Sequence, residues 1–126
     1  MSVVLDASAL LAYLRQEPGA EVVDRLLAEA RMASVNWAEV VQKSLSAGVD
    51  VEGMREDLQA LGMQVEPFLP ADGEQAGRLW ALTRPLGLSL GDRACLSLGL
   101  RLGLPVLTCD RAWAQLPLEM EIQVLR

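Results

Sequence analysis

The chain has 126 residues with a net charge of −6, 52 % hydrophobic residues, two cysteines and no histidine. That length predicts one domain with ample apolar residue for a core. Two thiols make no disulfide scaffold, and the lack of histidine excludes Ser/His/Asp and Cys/His nucleophiles and any His-ligated zinc.

In chain order, Ser2–Leu5 is a β-branched apolar run ending at Asp6, and Ala7–Leu14 follows as a helix. Pro18-Gly19 breaks it, and Pro18 is placed to start a second helix running to about Arg31, with Val22, Leu26, Leu27 and Ala30 on one side. Met32–Val35 reads as a strand. Asn36-Trp-Ala-Glu39 then has capping-box spacing, with Asn36 as N-cap of a helix that stops at Gly48. A further helix spans about Asp50 to Ala60. Met63–Phe68 is an edge strand because Pro67 would interrupt a central one. Pro70–Thr83 is helical, with Leu79, Trp80 and Leu82 expected in the core.

Ser89-Leu-Gly-Asp92 is a second capping box, opening a helix whose apolar stripe is Leu90, Ala94, Leu98 and Leu102. Gly103 stops that helix and Pro105 prevents its continuation. Val106–Thr108 is short and wholly apolar but for its last residue, as expected of a strand covered on both faces. Asp110 follows it, then a short helix over Arg111–Leu116 and a last strand over Glu121–Leu125.

Strands alternating with helices predict an α/β fold, a mainly parallel sheet with helices on both faces. In such a sheet the carboxyl ends of the strands share one edge, where α/β proteins place their chemistry. Asp6, Glu39, Asp92 and Asp110 all map to that edge. Each has a local explanation as a helix-capping acid. Together they would repel by about 4 kcal/mol per close pair at an effective dielectric near 20, so the arrangement calls for cations. A His-free, oxygen-rich site suits Mg²⁺ or Mn²⁺ and metal-assisted phosphodiester hydrolysis. The helix N-termini are expected to keep the acids ionised, and Ser8 and Thr108 to add hydroxyls. Basic residues comprise ten arginines and one lysine, so the acidic net charge leaves room for a local positive face, with Arg93 and Arg111 as candidate phosphate contacts.

Four segments carry a family resemblance: Val3-Val-Leu-Asp-Ala-Ser-Ala9, Val35-Asn-Trp-Ala-Glu-Val40, Gly87-Leu-Ser-Leu-Gly-Asp-Arg-Ala94 and Pro105-Val-Leu-Thr-Cys-Asp-Arg-Ala-Trp113. In order and spacing they resemble PIN-domain nucleases, and more narrowly the VapC toxins of bacterial type II toxin–antitoxin modules. The resemblance spans nearly the whole chain, 1–126. It implies a PIN-like three-layer α/β/α sandwich and a Mg²⁺- or Mn²⁺-dependent endoribonuclease. Its acidic site would be Asp6, Glu39, Asp92 and Asp110, with Ser8 and Thr108 in support. It further implies an RNA substrate, a homodimer and a VapB-like antitoxin partner. The apolar-rich segment Val40–Leu61 is a candidate dimer surface. With no signal peptide and no long uncharged stretch, a cytoplasmic protein without a membrane span is expected.

Other α/β chemistries fit less well. A haloacid-dehalogenase-like phosphatase needs an acid where Ser8 stands, and a receiver-like domain needs a late lysine, whereas the only lysine is Lys43. A binding module whose acids merely cap helices is the remaining alternative, and it predicts no metal affinity.

Overall fold

A computed structural model describes residues 1–126. Five strands, β1 (Val3–Leu5), β2 (Ala30–Ala33), β3 (Gln64–Glu66), β4 (Val106–Thr108) and β5 (Ile122–Val124), form one sheet in the order β3-β2-β1-β4-β5. Every pairing is parallel: β1 with β2 and β4, β2 with β3, and β4 with β5. The edge position expected of the Pro67-limited strand is where β3 lies.

The strands are only three or four residues long and hold because both faces are covered. Side chains alternate between two cores. Val3, Leu5, Met32 and Leu107 join one with Leu10, Val23 and Leu58, while Val4, Ala33 and Val106 join the other with Leu96, Leu98 and Trp113. Helices α1 (Ala7–Leu14), α2 (Ala20–Leu26) and α4 (Met54–Ala60) contribute to the first core, and α7 (Leu90–Leu102) to the second. Val3, Val4 and Leu5 are completely buried, each worth about 1.5–3 kcal/mol. This is a three-layer α/β/α sandwich.

Several boundaries differ from the sequence reading. Helix α2 ends at Leu26 instead of Arg31, because a 3-10 turn over Leu27–Glu29 delivers Ala30 into β2. Its N-cap is Gly19, at φ 101°, and Pro18 stays outside the helix. Asn36 is not an N-cap: β2 ends at Ala33, and α3 (Ser34–Ser46) begins at once, which places Asn36 inside the helix. The helix predicted over Asp50–Ala60 forms only from Met54. Helix α5 (Pro70–Arg78) breaks at Leu79 before the single turn α6 (Trp80–Thr83). At that break Leu79 is buried while Trp80 and Leu82 are exposed at 53 % and 49 %, against the expectation that all three lie in the core. Leu90 is also exposed, because the capped first turn of α7 projects beyond the core. Gly103, at φ 66°, ends α7 as expected. No helix is long and apolar enough to cross a membrane.

Candidate active site

The carboxyl edge of the sheet carries the acids. Asp6 directly follows β1 and caps α1, accepting a 2.8 Å hydrogen bond from the Ala9 N–H. Ser8 Oγ donates to its Oδ1 at 2.7 Å, and Thr108 Oγ1, at the end of β4, donates to its Oδ2 at 2.5 Å. Both hydroxyls also accept from the chain beyond β4. Ser8 Oγ takes the Cys109 N–H at 2.9 Å and Thr108 Oγ1 the Asp110 N–H at 3.0 Å. Ser8 and Thr108 therefore bolt the β1–α1 junction to the β4 terminus through Asp6, which a local capping role would not do.

Asp6 is only 4 % exposed. Burial raises its carboxyl from the ordinary 3.8 to about 6, against the lowering effect of the three hydrogen bonds, and the nearby Asp92 charge adds to the rise. Removal from water therefore outweighs the lowering effect of the helix N-terminus at Asp6, although a carboxyl at about 6 is still mostly ionised at neutral pH.

Asp92 lies in the first turn of α7. Its Oδ2 accepts the Ser89 N–H at 2.9 Å while Ser89 Oγ accepts the Asp92 N–H at 3.1 Å, so the predicted capping box forms. Asp110 is exposed and caps the 3-10 turn Arg111–Gln115 by accepting from Ala112 N–H at 3.0 Å. Glu39 differs from the other three. It sits well inside α3 and caps nothing, and its Oε1 accepts from Asn36 Nδ2 at 3.0 Å.

All four acids line one cavity of about 190 Å³, together with Ala7, Ser8 and Lys43. None of the four is in an ion pair; the chain's ion pairs join Met1 to Glu29, Arg31 to Glu66, Arg101 to Asp72 and Arg126 to Glu17. In their present rotamers, each hydrogen-bonded to its own neighbours, no three acids close on a single point. The donor set nevertheless suits a hard divalent cation: carboxylate oxygens from four chain segments, unneutralised, around a space large enough for an ion and its waters. A larger cavity of about 510 Å³ lies away from this site, against Gly99, Gly103 and Pro105, and its only acids are the exposed Glu119 and Glu121.

The arginines divide. Arg93 turns inward and donates to the Ala76 carbonyl at 2.8 Å, with its Nε buried, so it joins α7 to α5 and does not line the acidic cavity. Arg111 is exposed beside Asp110, its Nε donating to the Arg126 carbonyl at 3.0 Å. Sequence reasoning passed over Lys43, the cation that does line the cavity, although its position one helical turn after Glu39 announces a shared face.

A family model described as the PIN domain matches residues 3–118. Among solved structures, the chain is similar to a toxin–antitoxin complex from Klebsiella pneumoniae, at 17 % identity over 92 % of this chain and 93 % of that one, with TM-score 0.72. It is similar to VapBC-1 from nontypeable Haemophilus influenzae at 18 % identity, 99 % and 98 % coverage and TM-score 0.72. It is also similar to VapBC2 from Rickettsia felis, bound to a DNA fragment from their promoter, at 16 % identity, 100 % coverage of both chains and TM-score 0.71. At these identities the likeness is one of fold. Comparison with curated proteins found no match.

Proposed function

The chain belongs to the PIN-domain family, and on that premise we propose that it is a Mg²⁺- or Mn²⁺-dependent endoribonuclease, the toxin of a type II toxin–antitoxin pair. The observation that carries the nuclease reading is Glu39. Three of the acids cap helices and have a structural reason to be where they are. Glu39 caps nothing and pairs with no cation, yet it faces the same cavity. A module whose acids merely cap helices leaves it unexplained; a cation site needs it.

Asp6, Glu39, Asp92 and Asp110 hold the metal, which when bound supplies Lewis-acid polarisation of the phosphate and an activated water. Asp6 is the most constrained of the four, since three hydrogen bonds fix its orientation before any ion arrives. Ser8 and Thr108 act through it. Lys43, which lines the cavity, and Arg111, exposed beside Asp110, are the cations that would offset the charge of an RNA phosphate, which softens the difficulty posed by a net charge of −6. A carboxylate-lined cavity gains from a substrate only once the ion is in place, so RNA binding at the acids depends on metal.

The partner follows from the same premise. The similar solved structures are toxin–antitoxin and VapBC complexes, and a VapB-like antitoxin that covers the acidic cavity is the corresponding partner here. Leu45 on α3, Val49 just beyond it and Leu61 just past α4 are exposed, an apolar surface that supports a homodimer seated on that side. Cleavage of RNA by the purified chain with Mn²⁺, lost on chelation, tests the activity. Growth arrest on expression, relieved by the protein encoded in the neighbouring reading frame, tests the toxin role.

A further inference from the structure

Asn36 is 1 % exposed, inside α3, and its single Nδ2 donates twice: to Glu39 Oε1 at 3.0 Å and to the Gly91 carbonyl at 2.9 Å. Its orientation is unambiguous, since the flipped amide would set oxygen against both acceptors. The remaining Oδ1 is buried without a partner. Gly91, in the first turn of α7, packs against the same carboxylate. A Cβ there would overlap Glu39 Oε1 and stand 3.0 Å from its Cδ. Glu39 thus lies flat on bare α7 backbone, one residue before Asp92.

Neither choice favours stability locally. A buried amide with an orphaned oxygen is costly where an apolar side chain would pack, and glycine inside a helix is a poor helix former. Two such departures at one contact mark a place where geometry outranks stability. We propose that Asn36 and Gly91 are positioning residues for the cation site: Asn36 ties α3 to α7 and aims Glu39, and the missing side chain at position 91 lets the Glu39 carboxylate come alongside Asp92. They link the acid from α3 to the acid from α7. The proposal rests on the metal-site reading above.

The test is Mn²⁺ calorimetry of the full chain, paired with thermal melting in EDTA. Gly91→Ala is expected to melt at or above the wild-type temperature, because alanine is the better helix former, while its Mn²⁺ Kd rises about 10–100-fold. Asn36→Ala should weaken Mn²⁺ binding in the same range, and it decides the matter should Gly91→Ala not fold. In a Glu39→Asp background the shorter acid no longer reaches position 91, so adding Gly91→Ala is expected to leave the affinity where Glu39→Asp put it. A wild-type Kd in Gly91→Ala, or an additive loss in the double variant, would overturn the clasp while leaving the metal site standing. Absence of Mn²⁺ binding by the wild-type chain would overturn the site itself, and the clasp with it.

Discussion

The Thr108 hydroxyl donates to the Asp6 carboxylate at 2.5 Å across 102 residues of chain, joining the ends of β1 and β4. That bond aims Asp6 and opposes the rise that burial imposes, leaving the carboxyl at about 6. Thr108→Val keeps the shape and removes the donor. The carboxyl should rise further, the pH midpoint of Mn²⁺ binding should move up with it, and the fold should survive with a loss of about 1.5–3 kcal/mol. Titrating Mn²⁺ binding against pH checks this; an unmoved midpoint would deny Thr108 its role.

The raised carboxyl of Asp6 also sets the sign of a stability effect in the metal-free protein. The folded chain holds this proton more tightly than the unfolded chain. The contribution is therefore full below 3.8 and declines as pH rises to about 6, by about 3 kcal/mol in all. Asp6→Asn removes the decline. Urea unfolding in EDTA should show the variant gaining on the wild type across that window and holding its advantage above it; parallel curves would contradict the buried, proton-holding Asp6.

A bound cation reverses the preference, because it requires the ionised form. Below about pH 6, Mn²⁺ affinity is expected to fall by up to about tenfold per pH unit, and above it to level off. At about a hundred times its Kd, Mn²⁺ should stabilise the wild-type chain by about 2.7 kcal/mol, and EDTA should reverse this. The Asp92→Asn chain, whose side-chain oxygen can still accept the Ser89 N–H, should keep its fold and lose most of the gain.

The cations separate by salt dependence. Lys43→Ala and Arg111→Ala should each weaken RNA binding and reduce the logarithmic salt slope by about 0.7 per lost phosphate contact on a single strand. Arg93→Ala, which removes an interior hydrogen bond to Ala76, should leave that slope alone and destabilise the fold by roughly 1–3 kcal/mol. Binding of a cleavage-resistant RNA analogue in the presence of Mn²⁺ gives the readout.

Much of this site is legible in the sequence. Asp6, Asp92 and Asp110 each announce themselves through a local device, an acid after an apolar run or a capping box, and those devices form as read. For Glu39 the local pattern points to the correct edge for an incorrect reason. Asn36-Trp-Ala-Glu39 has the spacing of a capping box, but β2 ends at Ala33 and the helix starts earlier, a boundary set by pairing with β1 and β3 that no local pattern encodes. The inward turn of Arg93 depends on α5 lying alongside α7, and the exposure of Trp80 on the helix break at Leu79; both are tertiary events. The clasp of Asn36 and Gly91 on Glu39 joins positions that are 55 residues apart, so spacing alone could not reveal it.

Cleavage of a labelled RNA by the purified wild-type chain, with Mn²⁺ and with EDTA, beside Asp6→Asn under the same conditions, tests the central claim most directly. The carboxylate site predicts cutting by the wild type with metal alone and none by a folded Asp6→Asn chain. Full cleavage in EDTA, or wild-type cleavage by Asp6→Asn, would contradict it.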